Sequence, residues 1–215
     1  MNRTIFTLST ILVFSATGFS QTAEKAKQVL DQLSAKTKSF TTIYADFSFT
    51  MENLQEKIKE AHDGFIKVKG NKYMVSLMGS ESYFDGKSLW TYMKEMDEVN
   101  VTDPDPNEDG NLNPAKIFTM YEKGFKYMYV GEKTENGKVL HEIDLFPENR
   151  DKAFSRIKLF VYKDNLQIHS FKQIGKDGNN YTVKVNKMVT NQPIPDTDFT
   201  FNKAAHPKAE IIDMR

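Results

Sequence analysis

The chain has 215 residues, with 29 lysines and arginines against 29 aspartates and glutamates, and it contains no cysteine. A formal charge of zero argues against a nucleic-acid-binding protein, which normally carries a clustered basic excess. Without cysteine, the chain has no disulfide, no thiolate metal site, no cysteine nucleophile and no lipid anchor attached to a cysteine.

The first 20 residues have the pattern of a signal peptide. Arg3 gives a positive start, an apolar run follows as far as Phe19, and the small side chain of Ser20 suits a cleavage site. The alternative is a membrane anchor, but a spanning helix needs about 20 apolar residues. This run is shorter and rich in serine and threonine. We therefore predict a signal peptide at 1–20 and a single exported domain at 21–215.

The segment from Thr22 to Lys38 has the spacing of an amphipathic helix. Apolar and small residues recur every three or four positions, and lysine, glutamine and glutamate lie between them. The residues predicted to face the core are Ala26, Val29, Leu30, Leu33 and Thr37.

After Ser39 the apolar residues alternate, which indicates β-strands. Turn signals at Gly70-Asn71 and Asp85-Gly86 separate the strands of the first half. The predicted strands are 40–51, 64–69, 72–77, 83–84, 88–92 and 98–102, followed by 125–130, 139–146, 156–162, 168–174 and 181–189. Between the two groups, Asn113-Pro114 predicts the start of a short helix that runs to Tyr121. About ten or eleven strands with this spacing predict an antiparallel sheet or barrel.

Motifs of catalysis and metal binding are missing from the sequence. The four histidines form no zincin arrangement, and there is no Gly-x-Ser-x-Gly elbow. His141 and His169 fall within predicted strands, where we expect a single imidazole to face solvent. The segment 105–110 resembles the start of a calcium loop, but Lys116 occupies the position that requires a bidentate glutamate. We predict a non-enzymatic protein with no cofactor and no metal.

Large apolar side chains are abundant, with 16 phenylalanines, 9 tyrosines and 10 methionines. Several strands, such as 73–78 and 125–130, carry them on both alternating faces, although a strand with one solvated face needs only one apolar side. One explanation is an ordinary core in which helices cover the second face. The other is a sheet curved around an apolar cavity, where each buried methylene of a guest acyl chain would contribute roughly 0.8 kcal/mol. Composition permits both.

The first half of the chain contains an ordered set of strand and turn segments at 45–49, 63–69, 71–73, 83–92 and 98–101. The most specific of them includes the string Asp-Gly-Lys-Ser-Leu-Trp-Thr-Tyr at 85–92. In these segments the chain resembles the family of LolA lipoprotein carriers. The second half is less similar. Where the family often has Arg-Pro after the second strand, this chain has Lys69-Gly70-Asn71, so the role of that arginine in opening and closing does not transfer.

The resemblance implies an α+β fold, a half-open antiparallel β-barrel of about 10–11 strands with covering helices. It implies a periplasmic carrier that binds the acyl chains of lipoproteins and delivers them to the outer membrane, acting as a monomer without a cofactor. Its expected partners are acylated lipoproteins, an inner-membrane lipoprotein exporter and an outer-membrane acceptor, with no nucleic acid. The expected lipid-binding residues are Phe47, Phe49, Tyr73, Leu77, Trp90, Tyr92, Ile117, Phe118 and Met120.

Two other functions remain open. One is an envelope adaptor or sensor of the same fold that binds lipid or a protein without transporting it. The other is a secreted enzyme whose site has no recognisable motif.

Overall fold

The computed structural model describes residues 17–103 and 120–215, and the side chains of 21–103 and 121–215. Helix α1 (Thr17–Lys38) precedes twelve strands, and short 3₁₀-helices lie at Met120–Glu122 and Asp196–Phe199. The strands are β1 (Thr42–Asn53), β2 (Ile58–Lys69), β3 (Lys72–Leu77), β4 (Ser80–Phe84), β5 (Leu89–Met93), β6 (Glu98–Thr102), β7 (Phe125–Glu135), β8 (Lys138–Pro147), β9 (Phe154–Tyr162), β10 (Ile168–Gly175), β11 (Asn179–Thr190) and β12 (Glu210–Asp213).

All twelve strands form one sheet in the order β12-β6-β5-β4-β3-β2-β1-β11-β10-β9-β8-β7. The predicted α+β class and half-open architecture fit this sheet, which is not closed in the described part of the chain because β12 and β7 are its edges. The predicted number of 10–11 strands is too low. The missed strand is β12, which pairs with β6 in parallel, so the sheet is not purely antiparallel. The predicted mid-chain helix lies almost wholly outside the described residues, and the described part contains one α-helix.

Helix α1 covers part of one face of the sheet, which we call the inner face. All five residues predicted to face the core are buried. Val29, Leu30 and Leu33 belong to the main hydrophobic cluster, together with inner-face residues such as Ala45 and Ile143. Cross-strand pairs such as Ala45 with Ile66, and Ile143 with Leu159, extend this apolar surface across the sheet. The core therefore lies between α1 and the inner face.

The C-terminal segment packs on the opposite, outer face of β2–β6. Phe201 and Ala209 belong to a second hydrophobic cluster there, which includes Val99. Ion pairs also hold the segment, because Lys69 and Lys72 contact Asp196 at 2.7 and 2.8 Å. These two ammonium groups lower the pKa of the Asp196 carboxyl to about 2. The chain itself thus covers part of the outer face of this half of the sheet.

Gly64 on β2 lies beneath the ring of Phe47, its partner on β1. A Cβ atom at this position would come within 2.6 Å of the Ser76 carbonyl oxygen and 2.8 Å of Phe47 Cζ. We therefore expect Gly64→Ala to lower the free energy of unfolding by about 1–3 kcal/mol, the usual cost of overpacking. Urea denaturation measures this change. An unchanged midpoint would contradict the close approach, and adding Phe47→Leu should recover part of the loss.

Candidate functional site

Half-buried apolar side chains gather at one end of the inner face. We call this the upper end, and it carries the turns 54–57, 78–79, 148–153 and 176–178. The side chains pack against the main core and yet keep part of their surface accessible. We call this set the upper inner surface, and it consists of Phe49, Val75, Leu77, Phe125, Tyr127, Phe154, Val183 and Val185.

Aromatic pairs organise this surface. Phe49 stacks on Tyr181 with 6.1 Å between ring centroids, and Phe125 stacks on Phe154 at 6.3 Å. Val183 is the direct partner of Phe49 on the neighbouring strand, so its methyl groups extend the same apolar area. Such a surface offers dispersion contacts and no charge, which suits a hydrocarbon guest.

Away from the upper end, the inner face is buried beneath α1. Ile143, Leu159 and Val161 there are no more than 3% exposed, because α1 packs over this region. Lys25 of the helix lies over the ring of Tyr129, with 5.9 Å between Nζ and the ring centroid. The contrast between this buried part and the upper inner surface follows from the position of α1.

The structure divides the predicted lipid-binding residues between the two faces. Phe47 and Tyr73 are buried on the inner face, and Phe49 and Leu77 belong to the upper inner surface. The other two described residues lie on the outer face, in the cluster with Phe201, and they are Trp90 and Tyr92. Ile117 and Phe118 lie outside the described residues, as does the side chain of Met120.

Several members of the upper inner surface were absent from the sequence-based set. Val183 and Val185 lie in a predicted strand with the alternation Tyr-x-Val-x-Val from residue 181, which could have suggested one apolar face. Phe125 and Phe154 come from strands that are distant in sequence, and only the order of the strands in the sheet brings their rings together.

The strand histidines are buried, which corrects the expectation that they face solvent. His141 and His169 are each 6% exposed. His141 Nδ1 lies 2.9 Å from Tyr129 Oη, and His169 Nδ1 lies 2.9 Å from Ser170 Oγ. Burial lowers the pKa of both imidazoles, against the opposing effect of nearby Glu132 and Glu135. These histidines are satisfied parts of the core.

The buried histidines predict a pH dependence of stability. In the unfolded chain a histidine binds a proton below about pH 6.5, whereas the native imidazoles stay neutral to lower pH. Stability should therefore fall as pH drops below about 6.5, and the melting temperature at pH 5.5 should be lower than at pH 7.5. Calorimetry of the wild type and of the variant His141→Gln/His169→Gln measures this. An equal fall in both would rule out the histidines as its source.

Metal binding and membrane spanning find no support within the described ranges. No group of three or more histidine, aspartate and glutamate side chains in them is placed to hold a metal ion. In these same segments no helix combines the length and apolar character that crossing a bilayer requires. The calcium-like motif at 105–110 lies outside the described residues.

Comparisons with known proteins agree with this architecture. A family model described as outer membrane lipoprotein carrier protein LolA matches residues 16–167. The structure is similar to that of an uncharacterized conserved protein from Thermus thermophilus, with a TM-score of 0.59 and 12% identity over 88% of this chain and 99% of that one. A comparison with curated proteins finds no match.

Two further solved structures are similar at lower scores. A LolA superfamily protein from Nitrosomonas europaea has a TM-score of 0.43 and 12% identity over 82% of this chain and 97% of that one. The lipoprotein LppX from Mycobacterium tuberculosis has a TM-score of 0.49 and 11% identity, covering 79% and 98%. Because the family model spans well over half of the sequence, the chain belongs to the outer membrane lipoprotein carrier protein LolA family.

Proposed function

We propose that this protein is a periplasmic carrier that binds the acyl chains of lipoproteins and delivers them to the outer membrane. The observation that carries the proposal is the upper inner surface, where large apolar side chains pack on the core and remain partly accessible. The free energy of the system falls when a hydrocarbon chain replaces water on a surface of this kind. Membership of a lipoprotein carrier family supports the same assignment.

The energetics suit reversible binding. Ten buried methylenes would contribute about 8 kcal/mol, and ordering the guest costs several kcal/mol of that gain. The remainder corresponds to an affinity that holds cargo during transit and still allows its release. No covalent step is needed, so the proposed activity is binding and not catalysis.

Export is part of the proposal. A signal peptide at 1–20 would be removed, and 21–215 would act as one domain in the periplasm, where acylated lipoproteins are the cargo. An inner-membrane exporter would load the carrier, and an outer-membrane acceptor would receive the cargo. Within the lipid-binding set, Phe49 and Leu77 are the residues proposed to touch the acyl chain directly.

Native mass spectrometry tests this function. The protein is co-expressed with an acylated lipoprotein and purified from the periplasm, and the matched control replaces the acylated cysteine of the cargo with serine. We expect a complex with the acylated cargo and none with the control. Ligand-free protein in both preparations would contradict the proposal. A complex with the unacylated cargo would instead support an adaptor that recognises protein.

A further inference from the structure

Strand β2 extends well beyond its neighbour β3. It pairs with β1 along its whole length, from Asn53 with Ile58 onwards. On its other side, the last pair with β3 joins Phe65 to Ser76, and β3 ends at Leu77. Within the described residues, the segment 58–63 is therefore a sheet edge, which we call the free β2 edge, and five of its six residues are exposed.

The turn between β2 and β3 shows which backbone groups point away from β1. Gly70, with φ 59°, occupies a two-residue turn that makes Lys69 and Lys72 a hydrogen-bonded pair. The N–H and C=O of Lys69 therefore point towards β3. These directions alternate along a strand, and the β1–β2 register has no shift. The N–H and C=O groups of Lys59, Ala61 and Asp63 thus point away from β1, into the space past the end of β3 at Leu77.

These backbone groups have no strand partner in the part of the chain that the structure describes. Three residues with free N–H and C=O groups can form up to six hydrogen bonds to an added strand. Unpaired edges of this kind bind extended peptides by strand addition, in which main-chain hydrogen bonds supply affinity.

The free β2 edge lies beside the upper inner surface. His62 is the direct partner of Phe49, and Glu60 is the partner of Met51, so both side chains are on the inner face. His62 Nε2 is shielded from water and has no hydrogen-bond partner among the described residues. An unpartnered polar atom therefore lies beside Phe49, next to the free β2 edge.

We infer that the free β2 edge binds, as an added strand, the extended peptide that follows the acylated residue of a lipoprotein. This inference rests on the proposed function. With the acyl chains on the upper inner surface, the first peptide residues of the cargo leave at the end of the sheet where this edge begins. The site thus recognises cargo in two parts, the hydrocarbon by its apolar surface and the peptide by its backbone.

A second copy of this chain fits the edge poorly. In an antiparallel pairing of two copies, the β1–β2 turn of one would meet the β3–β4 turn, 78–79, of the other. Charged side chains also lie on both faces of the edge, at Lys59, Glu60 and Asp63, and such charges oppose pairing with an apolar edge. A single extended polar peptide encounters neither obstacle.

Ala61→Pro tests the inference without breaking the β1–β2 ladder. The N–H of Ala61 points away from β1, so proline removes a donor from the free edge only, a placement that edge strands tolerate. The probes are palmitate and a synthetic diacylated lipopeptide with ten uncharged residues after the lipid. We expect Ala61→Pro to weaken lipopeptide binding about 5–10-fold, the effect of one or two lost hydrogen bonds, and to leave palmitate binding unchanged. Ala61→Thr, which keeps the N–H, should bind both probes like the wild type.

A second measurement keeps the protein unchanged. Two sets of lipopeptides are N-methylated at odd or at even residues, so that each loses half of its backbone N–H donors. We expect one set to bind about 5–10-fold more weakly than the other. Equal binding by both sets, or an Ala61→Pro variant that binds lipopeptide and palmitate as the wild type does, would overturn strand addition and leave the carrier function standing. If the wild type bound neither palmitate nor the lipopeptide, both proposals would be overturned.

Discussion

The variant Phe49→Asp is expected to bind a long-chain fatty acid at least about 10-fold more weakly than the wild type. Phe49 is half-buried at the upper inner surface and stacks on Tyr181 at 6.1 Å. The substitution removes apolar area that an acyl chain would cover and places a carboxylate where bound hydrocarbon would have to desolvate it. A tenfold loss corresponds to only about 1.4 kcal/mol, less than the expected cost of either change. Titration with a fluorescent fatty acid measures the affinity.

Thr50→Asp is the matched control. Thr50 follows Phe49 on β1, is also half-buried, and faces the opposite side of the sheet, where its partner is Ala61. The substitution Thr50→Asp adds the same charge to the same strand as Phe49→Asp does. We expect its fatty-acid affinity to stay within about twofold of the wild type, because surface changes away from a site have small effects. Phe49→Leu keeps an apolar side chain and should retain most of the binding. Equal losses in Phe49→Asp and Thr50→Asp would place the ligand away from the upper inner surface.

Leu33→Ala is expected to cause a large loss of stability. Leu33 lies on α1, is 1% exposed, and packs in the cluster that joins the helix to the inner face. Truncation of a buried leucine costs about 2–5 kcal/mol through lost transfer free energy and the cavity that remains. For a chain of this size, we expect the melting temperature to fall by roughly 5–15 °C. Differential scanning calorimetry measures the shift.

The neighbouring residue supplies the control for Leu33→Ala. Gln32 is exposed on the same helix, and Gln32→Ala slightly improves helix propensity, so its effect should lie within about 0.5 kcal/mol of zero. If both variants melted at the wild-type temperature, α1 would not be packed on the sheet as described.

Local sequence patterns predicted most of the secondary structure. The helical spacing of 26–37 identified the buried side of α1, because a helix that covers a sheet repeats its apolar contacts every three or four residues. Strands β3 and β6 have the predicted limits, 72–77 and 98–102, since turn residues or a change of pattern mark both ends.

Two of the parts that were missed are sheet edges. The first half of β2 carries lysine, glutamate, histidine and aspartate, so residues 58–63 have no apolar alternation to detect. Strand β12 is four residues long, wholly exposed, and pairs with a strand more than 100 positions earlier in the sequence. Both strands form because a neighbouring strand supplies hydrogen bonds, which is information that a local pattern does not contain.

The candidate site was predictable in residue type and not in arrangement. Alternation places Trp90 and Tyr92 on the same face of β5, but it does not say which face. The C-terminal segment decides this, because Phe201 packs on them from the outer side. Strand order likewise brings Phe49 beside Val183, which lies more than 130 residues further along the chain.

Photo-crosslinking tests the binding surface most directly. A fatty acid with a diazirine near its methyl end is bound, irradiated and located by peptide mapping. We expect adducts on β1 around Phe49 and on β11 around Val183, on the inner face, and their loss in Phe49→Asp. Adducts confined to outer-face residues such as Lys172 and Lys184, with Phe49 and Val183 unmodified, would contradict acyl-chain binding at the upper inner surface.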